Sequence, residues 1–438
     1  MLMNRGILGG GPAGLTISRF LGGNSEVLEK NLSPGGAAGS FFESGFTFDY
    51  GPHIMFSKNK QVLEFMIREL DGNVHQCKRN NKIIYKNKIL KYPFENDLYS
   101  LDRKDNYECI SGFLFNENKI RFPNPKNLNE WLLHNFGNGI SEKYLIPYNK
   151  KVWNIPVEDL SMIWADRIPL PSPEDVLKSS IGIETEGYLH QLYYHYPLNG
   201  GYQALSEVFA KKVNVHYNYD IKKISLINNR FHITNGISEK IFDQIISTLP
   251  IQELIKILDI EIPEKIRKAI DQLIVNPMFI VSLGIKGEDM NKYTALYFPE
   301  EEFLVNRVSF PTTFSPFNSP EGCYSVQAEI TCLSGSQLWN KADDEILQHV
   351  IDGLESRSII KRSDIIYKNV SRRQYAYVVY DVNYLRNVEL IRSWFQDKNI
   401  WLAGRFSYFE YLNVDGIIER NIDIVKKING KIIDVNSF

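Results

Sequence analysis

The 438-residue chain is nearly neutral, with 50 Lys and Arg residues against 52 Asp and Glu residues and a formal net charge of −2. This balance gives no bulk electrostatic attraction to nucleic acid or to an anionic membrane, so we expect neither as a partner. Hydrophobic residues make up 43% of the chain and charged residues 23%, as in ordinary soluble globular proteins. The length predicts two or more domains.

Cysteine usage and hydropathy exclude further classes of protein. The four cysteines stand far apart without a CxxC pair, which argues against a zinc site and against a disulfide framework. No apolar run reaches the roughly 18 residues of a membrane span. Because a glycine turn already begins at residue 9, we expect no signal peptide, and we predict a cytoplasmic protein without a bound metal.

The first element along the chain is an apolar strand that runs into a glycine turn and then into a helix. Gly9 allows a tight turn, Gly11 lets the backbone approach a pyrophosphate, and Gly14 lets the helix pack closely on the strand. The helix N-terminus supplies free N–H groups and a positive dipole to phosphates. Glu29 follows the next short strand, where it would accept hydrogen bonds from a ribose hydroxyl. This stretch predicts dinucleotide binding.

A second glycine-rich loop spans residues 33–40, directly after this acid. It is too rich in glycine for a helix interior. It could lie against the far side of the same cofactor, and a plain surface loop is the alternative. The alternating residues 46–49 then predict a strand that leads into Tyr50-Gly51-Pro52-His53.

Residues 59–196 predict a mainly helical cap over the first domain. Apolar residues at helical spacing predict a helix over 59–70, and residues 81–94 indicate two short strands. The section from about 127 to 180 has a helical and aromatic pattern.

The chain returns to the first domain near residue 197. The pattern there predicts a helix over about 202–211, followed by strands at 213–216, 219–227, 230–235 and 241–247. Residues 251–273 again have a helical pattern, and residues 277–332 predict an antiparallel sheet that could form the floor of a substrate pocket. A last strand enters a glycine turn at Gly404 and precedes a closing helix over 413–428.

Glycine turns near residues 9, 35, 200 and 404 favour FAD over NAD, because a large cofactor that spans one sheet would explain all four. The helix that begins near Asn413 could stabilise the negative charge of a reduced flavin. The predicted fold is α/β, with a Rossmann-like FAD-binding domain, a helical cap domain and an antiparallel-sheet substrate domain. The FAD-binding domain is expected to comprise residues 1–58, 197–250 and 385–438, the cap residues 59–196, and the substrate domain residues 251–384.

Several motifs resemble one family of flavoproteins closely. They are Tyr50-Gly51-Pro52-His53-Ile54, Tyr92-Pro93-Phe94, the PYNKKVW stretch at 147–153, the Gly404-Arg405-Phe406 turn and the YLNVD stretch at 411–415. Together they resemble the UDP-galactopyranose mutase family, which shares its fold with the protoporphyrinogen oxidase and amine oxidase group. The PLNGGYQAL stretch at 197–205 is more similar to the oxidase branch.

The resemblance implies a flavin-dependent mutase that interconverts UDP-galactopyranose and UDP-galactofuranose, or a related nucleotide sugar, through an adduct between the sugar and N5 of reduced FAD. It implies a nucleotide-sugar substrate, a role in cell-wall or polysaccharide biosynthesis, and a reductant for which NAD(P)H is a candidate. A homo-oligomer is a further candidate assembly. The alternative is an FAD-dependent oxidoreductase that removes hydride from a small molecule, and a third hypothesis is a flavoprotein that binds nucleotide sugars without this turnover.

A departing diphosphate needs fixed donors while its charge develops, and arginine suits this work because its planar fork binds two phosphate oxygens. The resemblance assigns the catalytic roles to Arg307, Arg405 and His53, with His53 near the flavin ring. From the residues alone, Arg307 could equally form a strand-edge salt bridge, and His53 could be a satisfied buried histidine. Two departures from the family pattern, Glu95 and Glu410, add negative charge near the expected nucleotide site.

The remaining site residues implied by the resemblance fall into two groups. The predicted substrate-binding residues are Tyr297, Tyr411, Arg167, Trp164, Asn149 and Tyr92. The predicted cofactor-binding residues are Gly9, Gly11, Pro12, Ala13, Gly14, Glu29, Lys30, Gly36, Ala37, Ser40, His53, Val215, Gly404, Arg405, Asn413, Val414 and Asp415.

Overall fold

The structure, a computed structural model, describes residues 3–185, 192–430 and 433–437. Residues 186–191 of the predicted cap therefore lie outside the described residues. The strands are β1 (Arg5–Leu8), β2 (Ser25–Leu28), β3 (Ser40–Glu43), β4 (Phe46–Asp49), β5 (His75–Lys78), β6 (Asn81–Tyr85), β7 (Lys88–Lys91), β8 (Tyr193–Tyr196), β9 (Asn214–His216), β10 (Lys223–Ile227), β11 (Arg230–Thr234), β12 (Glu239–Phe242), β13 (Gln244–Ser247), β14 (Leu258–Asp259), β15 (Val275–Lys286), β16 (Ala295–Tyr297), β17 (Arg307–Ser309), β18 (Cys323–Thr331), β19 (Ile365–Val378) and β20 (Ile400–Leu402).

Thirteen α-helices accompany these strands in the described residues. They are α1 (Pro12–Leu21), α2 (Lys60–Glu69), α3 (Arg103–Leu114), α4 (Asn118–Arg121), α5 (Leu128–Ile140), α6 (Ile146–Trp153), α7 (Pro173–Ser180), α8 (Gln203–Ala210), α9 (Ile251–Ile257), α10 (Glu264–Asp271), α11 (Asp343–Ser356), α12 (Tyr384–Asp397) and α13 (Val414–Asn429).

A five-stranded parallel sheet in the order β20-β13-β1-β2-β9 collects distant parts of the chain. Apart from the edge strand β9, its strands are largely buried on both faces, as expected for a parallel sheet covered by helices. Ile7 and Val27 pack into one hydrophobic core, whereas Leu8 and Leu28 pack into the core on the opposite side. The predicted α/β fold, with a Rossmann-like domain built from discontinuous segments, is confirmed.

The segment 251–273, predicted as helical, contains two helices with the short strand β14 between them. Pro263 caps the N-terminus of α10, and a proline disfavours the helical conformation at the residue before it. One continuous helix is therefore excluded here, and β14 instead pairs with β10 in the four-stranded sheet β12-β11-β10-β14.

A seven-stranded sheet in the order β19-β15-β18-β17-β16-β6-β7 contains the predicted antiparallel strands after residue 275. Its last two strands, β6 and β7, come from the segment predicted as a helical cap, and β6 joins by parallel pairing with β16. The sheet therefore spans two of the three predicted domains, whose boundaries stay a prediction.

The helices α3, α5, α6 and α7 cover the β6–β7 end of this sheet and share one hydrophobic core with it. The C-terminal end of α6 is fixed on β15, because Asn276 Nδ2 donates to the carbonyl oxygens of Val152 and Trp153 at 3.2 and 2.7 Å. Tyr148 of α6 also packs edge-on against Tyr297 of β16, with 5.7 Å between the ring centres.

Three absences hold for the part of the chain that the structure describes. None of its helices combines the length and the apolar character that a membrane crossing requires. No cluster of three or more His, Cys, Asp or Glu side chains there could hold a metal ion. All four cysteines are free thiols.

Candidate flavin cradle and aromatic cleft

The first glycine turn connects β1 to α1 at the carboxyl edge of the parallel sheet. Gly9 has a φ of +105°, and a Cβ on Gly14 would lie 1.9 Å from the carbonyl oxygen of Gly9. Helix α1 begins at Pro12 without any side-chain cap, so the N–H groups of its first turn are available to an anion. A Cβ on Gly11 would be in van der Waals contact with the carbonyl oxygen of Gly35 at 3.6 Å, so Gly11 faces the second glycine loop.

The second glycine loop lies against the first. Gly35 N donates to the carbonyl oxygen of Gly10 at 3.0 Å. Gly35 and Gly36 have φ values of +127° and +55°, which favour glycine at both positions. The contact between the two loops supports a role in the cofactor site, in preference to a free surface loop.

Glu29 stands at the end of β2 and is buried. Its Oε2 accepts a hydrogen bond from Gly10 N at 2.6 Å, and its Oε1 accepts one from Asn31 N at 2.8 Å. The acid is therefore fixed beside the glycine turn, where a ribose would follow the pyrophosphate. Of the neighbouring predicted contacts, Val215 pairs with Val27 in the sheet and Lys30 is exposed.

A buried carboxylate, Asp49, joins the second loop to the later part of the domain. Its Oδ1 accepts hydrogen bonds from Ser40 Oγ at 2.6 Å and from Tyr202 N at 3.0 Å, and its Oδ2 accepts one from Tyr196 at 2.8 Å. Burial raises the pKa of Asp49 to about 6, although these donors oppose the shift. Ser40 N also donates to Gln203 Oε1 at 3.1 Å.

A second helix N-terminus faces the same region. Gly404 has a φ of +78°, and a Cβ there would lie 2.8 Å from the Cβ of Ala13 in α1. Helix α13 follows Asn413, which makes no side-chain cap. In its first turn, burial raises the pKa of Asp415. Asn421 Nδ2 donates to the Ala13 carbonyl oxygen at 2.8 Å and so ties the two helices together.

The two uncapped helix N-termini, the contacting glycine loops and the buried Glu29 fit a flavin adenine dinucleotide. We name this set of features the cradle. It contains the predicted cofactor residues Gly9, Gly11, Pro12, Ala13, Gly14, Glu29, Gly36, Ala37, Ser40, Gly404, Asn413, Val414 and Asp415.

His53 lies between the cradle and the large sheet. Its ring is 5.3 Å from the ring of Tyr202, and its Nδ1 atom is buried without a hydrogen-bond partner. Burial lowers the pKa of His53 to about 3, with additional lowering from the charges of Arg405 and Arg307. The imidazole is therefore neutral at physiological pH.

A cleft lined largely by aromatic side chains opens where α6, the β7 end and the C-terminal turn meet. We call it the aromatic cleft. Its lining comprises Tyr92, Pro93, Glu95, Tyr144, Leu145, Tyr148, Asn149, Val152, Trp153, Trp164, Arg167, Ile168, Pro169, Asn306, Arg307, Tyr377 and Tyr411.

Arg307 reaches the aromatic cleft from the start of β17. Its Nε and Nη2 donate to the two carboxylate oxygens of Glu329 at 2.7 and 2.9 Å, and Glu329 is almost fully buried. Although burial acts in the opposite direction, the charge of Glu329 raises the pKa of Arg307. The salt bridge foreseen as the alternative for Arg307 thus exists, and it fixes the guanidinium with one face toward the cleft.

Arg405 follows the Gly404 turn and is bound by backbone groups. Its Nε and Nη2 donate to the Leu412 carbonyl oxygen at 2.8 and 2.5 Å, and Nη1 donates to the Ala376 carbonyl oxygen at 3.4 Å. Its guanidinium lies 4.6 Å from the ring centre of Tyr411. Among the described residues no carboxylate pairs with it, so its positive charge is not neutralised.

A third guanidinium, that of Arg167, stands at the exposed rim of the aromatic cleft. It donates to the Tyr411 carbonyl oxygen and lies 4.6 Å from the ring centre of Tyr411 and 5.4 Å from that of Trp164. Trp164 in turn packs edge-on against Trp153, with 4.1 Å between the ring centres. Arginine and aromatic rings therefore alternate along this wall.

The other predicted substrate residues differ in exposure to the aromatic cleft. Tyr92 lines it, whereas Tyr297 lies behind Tyr92, with stacked rings 5.0 Å apart. Asn149 also lines the cleft, but Asn149 Nδ2 donates to the Leu145 carbonyl oxygen at 2.8 Å, and Oδ1 accepts a bond from Trp153 Nε1 at 3.0 Å. Asn149 thus orients Trp153.

Sequence reasoning missed Tyr377 as a site residue. Its ring stacks on Tyr411 at 5.7 Å, and its hydroxyl accepts a 3.4 Å bond from Arg307 Nη2. The sequence pattern that could have indicated Tyr377 is the spacing of Tyr375 and Tyr377 by two residues, which is typical of one face of a strand.

The two acidic departures from the family pattern have different surroundings. Glu95 lines the aromatic cleft. The carboxylate of Glu410 pairs with Arg420 instead, at 2.7 and 3.0 Å. The expected extra negative charge at position 410 is therefore largely neutralised.

Comparison with known proteins places the chain in a family. A model of the flavin containing amine oxidoreductases matches residues 21–416. The chain belongs to the flavin containing amine oxidoreductase family. It is accordingly a flavoenzyme, and both its family and its cradle imply FAD as the cofactor.

Similar solved structures come from enzymes with different reactions. A reduced UDP-galactopyranose mutase has a TM-score of 0.89 and 21% identity, over 99% of this chain and 96% of that chain. A putative protoporphyrinogen oxidase from Exiguobacterium sp. 255-15 has a TM-score of 0.76 and 16% identity, over 98% and 99%. A putrescine oxidase bound to putrescine has a TM-score of 0.68 and 14% identity, over 98% and 99%. At these identities the likeness shows the fold.

Proposed function

We propose that this flavoenzyme is a nucleotide-sugar mutase, and that its substrates are UDP-galactopyranose and UDP-galactofuranose or a closely related pair. The observation that carries the proposal is the combination of three guanidinium groups with an aromatic cleft beside the cradle. A diphosphate is the ligand that several converging arginines favour. The aromatic walls suit a planar base and the apolar face of a sugar.

Each arginine has a distinct task in this proposal. Arg167, at the exposed rim, meets the incoming diphosphate. Arg307, oriented by Glu329, holds phosphate oxygens while charge develops on the leaving group. Arg405, which has backbone acceptors and no carboxylate partner in the part of the chain that the structure describes, supplies a further positive charge.

The tyrosines and His53 complete the arrangement. Tyr377 offers a hydroxyl group beside Arg307, and the ring of Tyr411 lies against Arg405. His53 is neutral because of its burial and of the nearby Arg405 and Arg307. It can therefore donate or accept a hydrogen bond without adding a positive charge to those of the two arginines. Reduced FAD, when bound, supplies the nucleophile toward the anomeric carbon.

NAD(P)H stays a candidate reductant. The homo-oligomer, the cytoplasmic location and the role in polysaccharide synthesis stay predictions.

Conversion of UDP-galactofuranose by the FAD-loaded protein tests the proposal. With dithionite present, we expect UDP-galactopyranose to accumulate, and with oxidised flavin we expect almost none. Absence of conversion by the fully reduced, FAD-loaded protein would exclude this sugar pair.

The second candidate is an FAD-dependent oxidoreductase that removes hydride from a small molecule. The family match and the similarity to a putrescine oxidase favour it. A cationic amine, however, would be repelled by Arg405 and Arg167, since neither forms a salt bridge with a carboxylate among the described residues. Bleaching of the flavin by an added amine under anaerobic conditions would favour this candidate over the mutase.

A further inference from the structure

The segment between β16 and β17 carries two of the proposed substrate residues at its ends. Tyr297 is the last residue of β16, and Arg307 is the first residue of β17. The two residues pair across the antiparallel strands, and the Phe298 N–H donates to the Asn306 carbonyl oxygen at 3.2 Å. Residues 298–306 form a closed loop, which we call the hairpin loop, so its shape determines how both ends are presented.

One lysine side chain from another element is inserted into the hairpin loop. Lys151 Nζ donates to the carbonyl oxygens of Phe298 at 2.8 Å, Glu300 at 2.7 Å and Phe303 at 2.6 Å. An ammonium group has three N–H donors, and here each donor has a carbonyl acceptor in the same loop. Lys151 lies on α6, two residues from both Asn149 and Trp153.

Other contacts join the hairpin loop to its surroundings at different points. The Leu304 N–H donates to His349 Nε2 at 3.0 Å, and the Asn306 N–H donates to the Glu329 carbonyl oxygen at 2.9 Å. Neither of these contacts reaches α6. Among the described residues, Lys151 is the α6 side chain that donates to the backbone of the hairpin loop. It thereby joins the helix that carries Asn149 and Trp153 to the loop between Tyr297 and Arg307.

We propose that Lys151 is a positioning residue for the arginines that bind the diphosphate in the proposed function. We call these arginines, Arg167, Arg307 and Arg405, the diphosphate clamp. It sets the distance between the α6 wall of the aromatic cleft and the guanidinium of Arg307. The inference rests on the proposed function, because it assigns to Lys151 the geometry of a site that binds a nucleotide diphosphate.

The neighbouring Lys150 provides a matched control. It lies on the same helix, and its Nζ pairs with Glu301 of the same hairpin loop at 2.8 Å. Both partners of this pair are well exposed, so the pair contributes little to the loop's position. Lys150→Met and Lys151→Met therefore each remove one lysine contact between α6 and the hairpin loop. Only Lys151→Met removes the three hydrogen bonds to the loop carbonyl oxygens.

The experiment measures pyrophosphate and UDP affinity of the FAD-loaded variants, together with amide hydrogen exchange in residues 298–306. For Lys151→Met we expect binding of both ligands to weaken about tenfold. We expect faster exchange of the Phe298, Leu304 and Asn306 amides and an unchanged FAD affinity. Lys150→Met should match the wild type in every measurement. If Lys151→Met fails to fold, Lys151→Gln, which retains two N–H donors, should give a smaller effect of the same sign.

The outcomes separate this inference from the proposed function. Wild-type exchange rates and wild-type ligand affinity in the Lys151 variant would overturn the positioning role. Equal losses of FAD and pyrophosphate affinity would also overturn it, because they would indicate a general structural defect. A wild-type protein that binds neither UDP nor pyrophosphate would overturn the proposed function and, with it, the clamp that Lys151 is said to position.

Discussion

The cradle and the aromatic cleft are neighbours, yet they are built by different means. The cradle uses backbone groups: glycine turns, two uncapped helix N-termini and carbonyl contacts within short segments. The aromatic cleft uses side chains from six separate stretches of the chain. A site built from backbone groups depends on where glycines stand in the sequence. A site built from side chains depends on how distant elements pack together.

The two regions also handle charge differently. The cradle offers N–H dipoles, and Glu29 is the acid that is fixed beside its first glycine turn. The cleft contains full positive charges, of which only that of Arg307 has a carboxylate partner among the described residues. The cradle therefore fits a cofactor that stays bound, and the cleft fits an anion that must enter, react and leave.

The largest expected effect comes from adding a side chain to the cradle. Gly14→Val should abolish FAD binding, since even a Cβ would clash with the Gly9 carbonyl oxygen. Overpacking of this severity costs about 3 kcal/mol or more, which corresponds to a loss of affinity of roughly a hundredfold. Titration of the apoprotein with FAD, followed by flavin fluorescence, measures it.

Gly23→Ala is the matched control in the same βαβ unit, because a Cβ at Gly23 would meet no atom within 4 Å. Equal FAD affinity of the two glycine variants would contradict a cradle built on close backbone contact.

A similarly large effect is expected when Arg405, whose guanidinium lies against the ring of the cleft residue Tyr411, is replaced. Arg405→Met should lower the turnover of the nucleotide sugar by about 10²-fold to 10³-fold, as expected for loss of one preorganised donor, while FAD stays bound. Steady-state kinetics together with the flavin absorbance spectrum check both parts.

The control for this change is Arg392→Met. Arg392 donates to the Tyr408 carbonyl oxygen from the other side of the same turn, at 2.6 and 2.9 Å. If both variants lost activity equally, the effect of Arg405 would be due to the backbone of the turn and the comparison between the two regions would fail.

A smaller effect concerns the buried acid of the cradle. The pKa of Asp49 is raised from 3.8 to about 6, so the folded state binds a proton more tightly than the unfolded state between these pH values. The wild type should therefore gain about 3 kcal/mol of stability relative to Asp49→Asn as the pH falls from above 6 to below 4. Urea unfolding of both proteins across this range measures the difference.

His53 acts in the opposite direction, since its folded pKa is lowered to about 3 and its stabilising contribution is lost as the pH falls below 6.5. This contribution is present in both proteins and cancels in the comparison. A stability difference independent of pH would contradict this account, because it would show that folding does not shift the pKa of Asp49.

The smallest expected effect is that of one hydroxyl in the cleft. Tyr377→Phe removes the acceptor of the 3.4 Å bond from Arg307 and keeps the stacked ring, so we expect roughly a threefold to tenfold loss of UDP affinity. Tyr367→Phe, on the same strand, removes a hydroxyl that contacts Glu43 and should have no effect. Isothermal titration of both variants makes the comparison.

Sequence patterns predicted the cradle better than the cleft. Gly9, Gly14 and Glu29 lie within one short stretch, and their spacing alone specifies a strand, a turn and a helix. The partner of Arg307, by contrast, is a carboxylate from a different strand, and Tyr377 arrives through a third strand. Such contacts depend on sheet order, which residue spacing does not encode.

The boundary of the cap was hard to predict for a similar reason. The hairpin of β6 and β7 has an ordinary strand pattern, but nothing local indicates that it adds to a sheet formed by residues 275–378. That addition places Tyr92 against Tyr297, more than two hundred residues away. Family motifs brought these residues together in the prediction, whereas periodicity did not.

The most direct test of the central claim is a binding measurement on the FAD-loaded wild-type protein. Trp153 and Trp164 line the aromatic cleft, so their fluorescence should respond to a ligand there. We predict saturable quenching by UDP that UDP-galactose displaces, with an unchanged flavin content. No response to UDP, together with bleaching of the flavin by an added amine, would contradict the account.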